Sequence, residues 1–170
     1  MGLFNKLSGI IGEAVTGKLS GKAAEKNEEK KEEIRNIFDS KVQSGKDYTV
    51  LAGSNMVTTK KLMKEVRTYY NYIIGYKDGD DPEIVIIPTT DDLGTVDEPA
   101  ICKRSECTKA VYEINTGNFR ISHPAFSDAP LDFQIIVAAA HGQLGALMIP
   151  VSCMDEFFPF TEFFQNRFAK

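Results

Sequence analysis

The 170-residue chain has no tryptophan, only two histidines and only three cysteines. Each scarcity removes a class of function. An odd and small number of cysteines does not build a disulfide framework and fits a reducing compartment. One loose Cys102-x4-Cys107 pair, with Cys153, His123 and His141 elsewhere, falls short of the two short Cys/His pairs of a zinc site. Nothing in the spacing sets either histidine beside a cysteine, as a thiol nucleophile requires. No G-x-G-x-x-G follows a strand and no G-x-x-x-x-G-K-[ST] occurs, so phosphate cradling by a glycine loop is unsupported. No apolar run approaches the length of about 18 residues that spans a bilayer. The start of the chain lacks a charged region, an unbroken apolar stretch and a small-residue cleavage site in that order, so no secretory leader is expected. At position 6, where a myristoylation motif wants Ser or Thr, there is Lys6. Cationic excess is also missing. A net charge of −4 and a pI near 5.3 oppose non-specific nucleic-acid binding, which neutralises phosphates with Lys and Arg. A cytoplasmic location is expected, with contact at the membrane periphery as the alternative. No catalytic residue, metal or cofactor is expected.

What the chain does have is a 42% hydrophobic fraction, enough for one packed core at this length. Its character changes near residue 46. In the first 20 residues Leu3, Phe4, Leu7, Ile10, Ile11, Ala14, Val15 and Leu19 recur at three- and four-residue spacing, one face of an amphipathic helix. Gly9, Gly12, Gly17 and Gly21 weaken it, by roughly 1 kcal/mol each, so it needs a partner surface. A membrane interface would take that face with Lys6, Lys18 and Lys22 on the polar side; the other partners are its own domain or a second copy. Residues 23–38 are dense in Glu and Lys, with an apolar side of only Ile34, Ile37, Phe38 and Val42. They predict a solvated helix whose last turns dock on the domain.

From residue 48 onward the pattern turns to short β-branched and aromatic runs punctuated by turn chemistry. A strand is predicted over 48–52. Residues 58–68 read either as a helix capped by Thr58 or Thr59 or as an edge strand. Strand 69–77, the turn Asp78-Gly79-Asp80-Asp81-Pro82 and strand 83–88 form a predicted hairpin. An acidic loop spans 89–99, and 100–105 has weak strand character. A second hairpin runs from 108 to 123 about Asn115-Thr116-Gly117-Asn118, and a third from 132 to 152 about His141-Gly142-Gln143. The tail carries Phe157, Phe158, Phe160, Phe163, Phe164 and Phe168. The segment 154–170 reads as a helix lying on the strands, with positions 157, 160, 164 and 168 in one stripe and its stable part from about Pro159 onward.

About seven antiparallel strands followed by one amphipathic C-terminal helix resembles the element order of pleckstrin-homology domains. The chain is similar to small bacterial proteins that carry such a domain. The resemblance implies an α+β fold: an antiparallel barrel over 47–170 closed by the helix, with 1–46 as a helical extension. It also implies that Phe157, Phe160 and Phe164 stand where the closing helix of the family usually has a tryptophan.

Among candidate sites, Lys60, Lys61, Lys64 and Arg67 follow the first strand. In the resemblance this is where members that bind inositol phospholipids keep their basic residues. On a helix, Lys60, Lys64 and Arg67 would share one side and meet phosphate oxygens; the alternative is a solvated face. The carboxylates Asp78, Asp80, Asp81 and Glu83, with Asp91, Asp92, Asp97 and Glu98, crowd two loops, but without the spacing of a calcium loop. Turn chemistry accounts for them. The expected function is a non-catalytic binding or assembly module acting through protein–protein contacts, with the N-terminal helix for self-association or attachment. The alternative is a peripheral module that binds anionic lipid through Lys60, Lys61, Lys64 and Arg67, aided by that helix.

Overall fold

A computed structural model describes residues 21–126, 129–138 and 147–170. The amphipathic segment over 1–20 and the predicted turn at His141 lie outside the described residues. The chain is α+β: helix α1 (Lys22–Lys41), strands β1 (Thr49–Lys61), β2 (Lys64–Lys77), β3 (Glu83–Thr89), β4 (Ala100–Lys103), β5 (Lys109–Glu113), β6 (Asn118–Ser122) and β7 (Leu131–Ile135), then helix α2 (Met154–Phe163), which runs into a π-helical turn (Phe164–Phe168). The seven strands form one antiparallel sheet, ordered β4-β3-β2-β1-β7-β6-β5, curled into a half-barrel.

The sheet is covered on both faces near its middle, which is why β3 reads as the unbroken apolar run Ile84-Val85-Ile86-Ile87 rather than as an alternation. One face meets α1. Ile34 and Phe38, four residues apart on one helical stripe, are buried with Val42 just beyond the helix. The far end of the Phe38 ring abuts Gly75, so close that a Cβ there would sit 2.1 Å from its Cζ. The rest of α1 is solvated, as its Glu/Lys density predicts, and polar contacts fix its angle. The Asn27 amide donates to the Ser152 carbonyl at 3.1 Å and accepts from the Ser152 N–H at 2.6 Å. Lys31 pairs with Glu156 at 2.8 Å.

The concave face holds the phenylalanines. Phe119 is their hub, with ring centroids 4.5 Å from Tyr112, 5.4 Å from Phe133 and 5.0 Å from both Phe160 and Phe164. Phe157, Phe160, Phe164 and Phe168 are all buried, so the predicted stripe does fill the half-barrel. The helix starts at Met154, where the helical segment is expected to begin, and is regular already ahead of Pro159, which sits inside it. The Thr161 hydroxyl donates to the Phe157 carbonyl there at 2.8 Å. Beyond the π-helical turn, Lys170 exchanges two backbone hydrogen bonds with Ala110, at 2.9 and 3.1 Å, and so covers the outer edge of β5.

Three strand expectations are corrected. The strand expected over 48–52 continues to Lys61. Residues 58–68 are neither a helix nor a single edge strand but the end of a hairpin, β1 turning into β2 at Leu62 and Met63. Of the third hairpin the described residues show β7 alone: residues 147–152 form no strand and are tied to β2 through Asn71, whose amide donates to the Leu147 carbonyl at 3.0 Å and accepts from the Ile149 N–H at 3.1 Å.

Candidate binding site

The β1–β2 hairpin is longer than the sheet that carries it. Its two strands pair without interruption from Thr49↔Tyr76 to Lys61↔Lys64. β3 leaves β2 at Asn71↔Thr89, and β7 touches β1 only at Gly53 and Ser54. From Asn55↔Tyr70 outward, seven residue pairs have no third strand beside them. At about 3.3 Å per residue this is an arm of roughly 20 Å. Every residue from 56 to 68 is exposed, on both faces. Leu62 and Met63 at the tip are fully exposed, and both have positive φ, 42° and 67°. That is the backbone of a two-residue primed turn, normally the work of Asn-Gly, held here by two bulky apolar side chains.

Apolar exposure is concentrated on this one element. Of the eight large hydrophobic residues exposed among the described residues, Met56, Val57, Leu62, Met63, Val66 and Tyr70 are on the arm. A lone two-stranded ribbon is at best marginally stable in water, and these exposed apolar side chains are spread over the tip and both faces of the arm, interleaved with Lys and Thr.

The four basic residues singled out from sequence, Lys60, Lys61, Lys64 and Arg67, all lie on this arm, but not on one side. Strand alternation replaces the helical grouping of Lys60, Lys64 and Arg67. Lys60 is opposite Glu65 and Arg67 opposite Thr58 on one face; Lys61 is opposite Lys64 on the other, beside Val66 and Val57. Arg67 reaches Glu65 at 3.9 Å with both side chains half exposed, a pair of little energetic weight. The lysines thus bracket the apolar tip from both faces. Sequence reasoning had the cations but not the tip, nor Val66 and Tyr70. The available signal was the β-branched run Val57-Thr58-Thr59 and the β-branched pair Val66 and Thr68, placed symmetrically about Leu62-Met63.

At the root of the arm, where β3 ends, a cleft of about 190 Å³ is lined by Tyr69, Tyr70, Tyr72, Pro88, Thr90 and Asp97. The loop over 89–99 that borders it carries Asp91, Asp92, Asp97 and Glu98 and no cationic residue. Within it, Asp92 accepts from the Thr90 hydroxyl at 2.6 Å and the Gly94 N–H at 2.9 Å, which hold its carboxyl below the usual range.

The other polar clusters serve the fold. Burial pushes the Cys102 and Cys153 thiols up to about 12 and Cys107 to about 11, so at neutral pH they are protonated. His123 lies 3.2 Å from Glu106 and accepts from the Ala125 N–H at 3.0 Å, which ties down its own turn. Asp78 binds Arg167 and the Gly79 N–H, and Asp81 binds Ser105. No cluster of three or more His, Cys, Asp or Glu side chains suited to a metal ion occurs among the described residues. Among them, too, no helix is long and apolar enough to cross a membrane. Comparison with known protein families, with curated proteins and with solved structures finds no match.

Proposed function

We propose that this protein is a non-catalytic binding or assembly module whose contact element is the β1–β2 arm. The observation that carries the reading is the projection of an apolar-tipped, four-cation hairpin beyond the sheet that anchors it. The body is suited to hold such an arm rigidly: β1 and β2 are central strands, gripped by α1 on one face and the phenylalanine cluster on the other. In this reading the half-barrel with its C-terminal helix is a pleckstrin-homology-like domain of a bacterial cytoplasmic protein, and the segment ahead of α1 adds attachment.

A second reading draws on the tip itself. Leu62 and Met63 backed by Lys60, Lys61, Lys64 and Arg67 is a composition suited to an anionic lipid surface, with apolar residues in the interface and cations at the headgroups. It predicts salt-sensitive sedimentation with phosphatidylserine vesicles, weakened by Lys60→Glu with Lys64→Glu.

The test common to both is a variant in which an Asn-Gly turn joins residue 55 directly to residue 70. Its native mass and its vesicle binding are compared with those of the full chain. A change in either, with the thermal melt preserved, supports the arm as the contact element. No change in both removes it.

A further inference from the structure

Resting on the arm as contact element, we infer that its partner is a second copy of this chain, the two arms pairing antiparallel along the outer edge of β2 about a two-fold axis at Val66. Three observations converge on this.

The first is the unpaired edge. Along 64–70 the outer side of β2 has no neighbouring strand among the described residues, because β3 starts its pairing at Asn71. Such an edge presents a row of backbone donors and acceptors to another strand. The second is charge. The arm holds four cations and one carboxylate in a chain of net charge −4, so the remainder carries −7. The cleft at the arm's root combines three tyrosines and Pro88 with Asp97, next to a loop of four carboxylates. Each copy therefore has an apolar, cationic tip at one end of its arm and an aromatic, acidic recess at the other. A two-fold axis brings each tip to the other's recess and closes the assembly as a dimer.

The third is register. Antiparallel partners related by an axis perpendicular to the sheet keep their faces matched, so the axis passes between one residue of β2 and the same residue of the second copy. The end of β3 limits how far the second arm can advance: its turn must stop opposite Tyr70. With Val66 on the axis, Leu62 lies opposite Tyr70 of the second copy, which is the deepest advance that avoids β3. The same register sets Glu65 opposite Arg67 of the second copy, twice. An axis at Arg67 or at Glu65 would instead set like charges opposite one another, which destabilises a strand pair.

The test uses the full chain. Light scattering at tens of micromolar is expected to give twice the 18.9 kDa chain mass, and the variant with its arm shortened to an Asn-Gly turn is expected to give the single mass. Val66→Cys is expected to form a disulfide-linked dimer under mild oxidation, because the two thiols would meet on the axis. Val57→Cys, on the strand at the far side of the arm, is expected not to. The native thiols are buried and do not interfere. Arg67→Glu sets carboxylates opposite each other and is expected to raise the dissociation constant about tenfold. A monomeric full chain, a dimer that survives shortening of the arm, or Val57→Cys cross-linking as readily as Val66→Cys would each overturn the inference. If the full chain is monomeric but binds anionic vesicles only with its arm, self-pairing falls and the binding arm stands. If neither mass nor vesicle binding depends on the arm, both fall.

Discussion

Gly75 is where one missing side chain decides how a helix sits. It lies in the middle of β2, in extended backbone where any residue fits, and what requires glycine is the Phe38 ring pressed against it. A Cβ would lie 2.1 Å and 2.4 Å from two of the ring carbons. Phe38 is wholly buried and also meets Tyr48 at 5.4 Å, so the ring has no open side to move into. Gly75→Ala is therefore expected to cost about 1–3 kcal/mol through overpacking, read as a lower midpoint in thermal or urea unfolding. Gly79→Ala is the control, since a Cβ there meets nothing within 4 Å, and its midpoint should not move. Equal behaviour of the two variants would mean that α1 can lift off the sheet without loss. Leu62 and Met63 make the opposite point. Their positive φ angles cost of order 1 kcal/mol each where Asn and Gly would cost little. Apolar residues at a strained, solvent-exposed turn fit a contact role better than a structural one.

At the scale of elements, legibility in the sequence followed turn chemistry. The β2–β3 hairpin was readable because Asp78-Gly79-Asp80-Asp81-Pro82 leaves the chain little alternative, and β5–β6 because Asn115-Thr116-Gly117-Asn118 includes the positive-φ Gly117. The β1–β2 hairpin was not, since Lys61-Leu62-Met63-Lys64 has no turn residue and its leucine and methionine favour a helix. The basic residues of the site were thus visible while the element that arranges them was not. The phenylalanine stripe was legible because burial follows helical period. The reach of α1 into the core was legible in Ile34, Phe38 and Val42, but its depth depends on Gly75, far along the chain. That depth bears on the change of character near residue 46. Deleting 1–20 leaves Ile34, Phe38 and Val42 in place, and the melt of the full chain should persist. Deleting 1–46 removes all three from the core. Loss of large buried side chains costs about 2–5 kcal/mol each, against a total stability of about 5–15 kcal/mol. That variant is expected to lose its cooperative melt in circular dichroism. A sharp transition in 47–170 alone would mean that the phenylalanine cluster suffices to hold the half-barrel.

For the whole molecule, charge is segregated by distance rather than spread. The arm carries +3 and the remainder −7, and an arm of roughly 20 Å is about twice the Debye length of about 10 Å at 0.1 M salt. The basic tip is therefore electrostatically distinct from its own body while remaining attracted to any acidic surface it touches, that of another copy included. The apolar part of the tip responds to salt in the opposite sense, because excluded salts strengthen burial of apolar surface. The two contributions separate in a titration with sodium chloride from 0.05 to 0.5 M. If the cations and the acidic cleft govern pairing, the dimer dissociation constant should rise steadily across that range. The thermal midpoint of the arm-shortened variant should barely move, since its core is built of buried Ile, Val and Phe. The same titration with Lys61→Gln and Lys64→Gln together should start weaker and be flatter, because those two side chains sit immediately behind the tip. An association that tightens with salt, equally in both proteins, would assign the contact to Leu62, Met63, Val66 and Tyr70 alone and leave the charge pattern without a part in it.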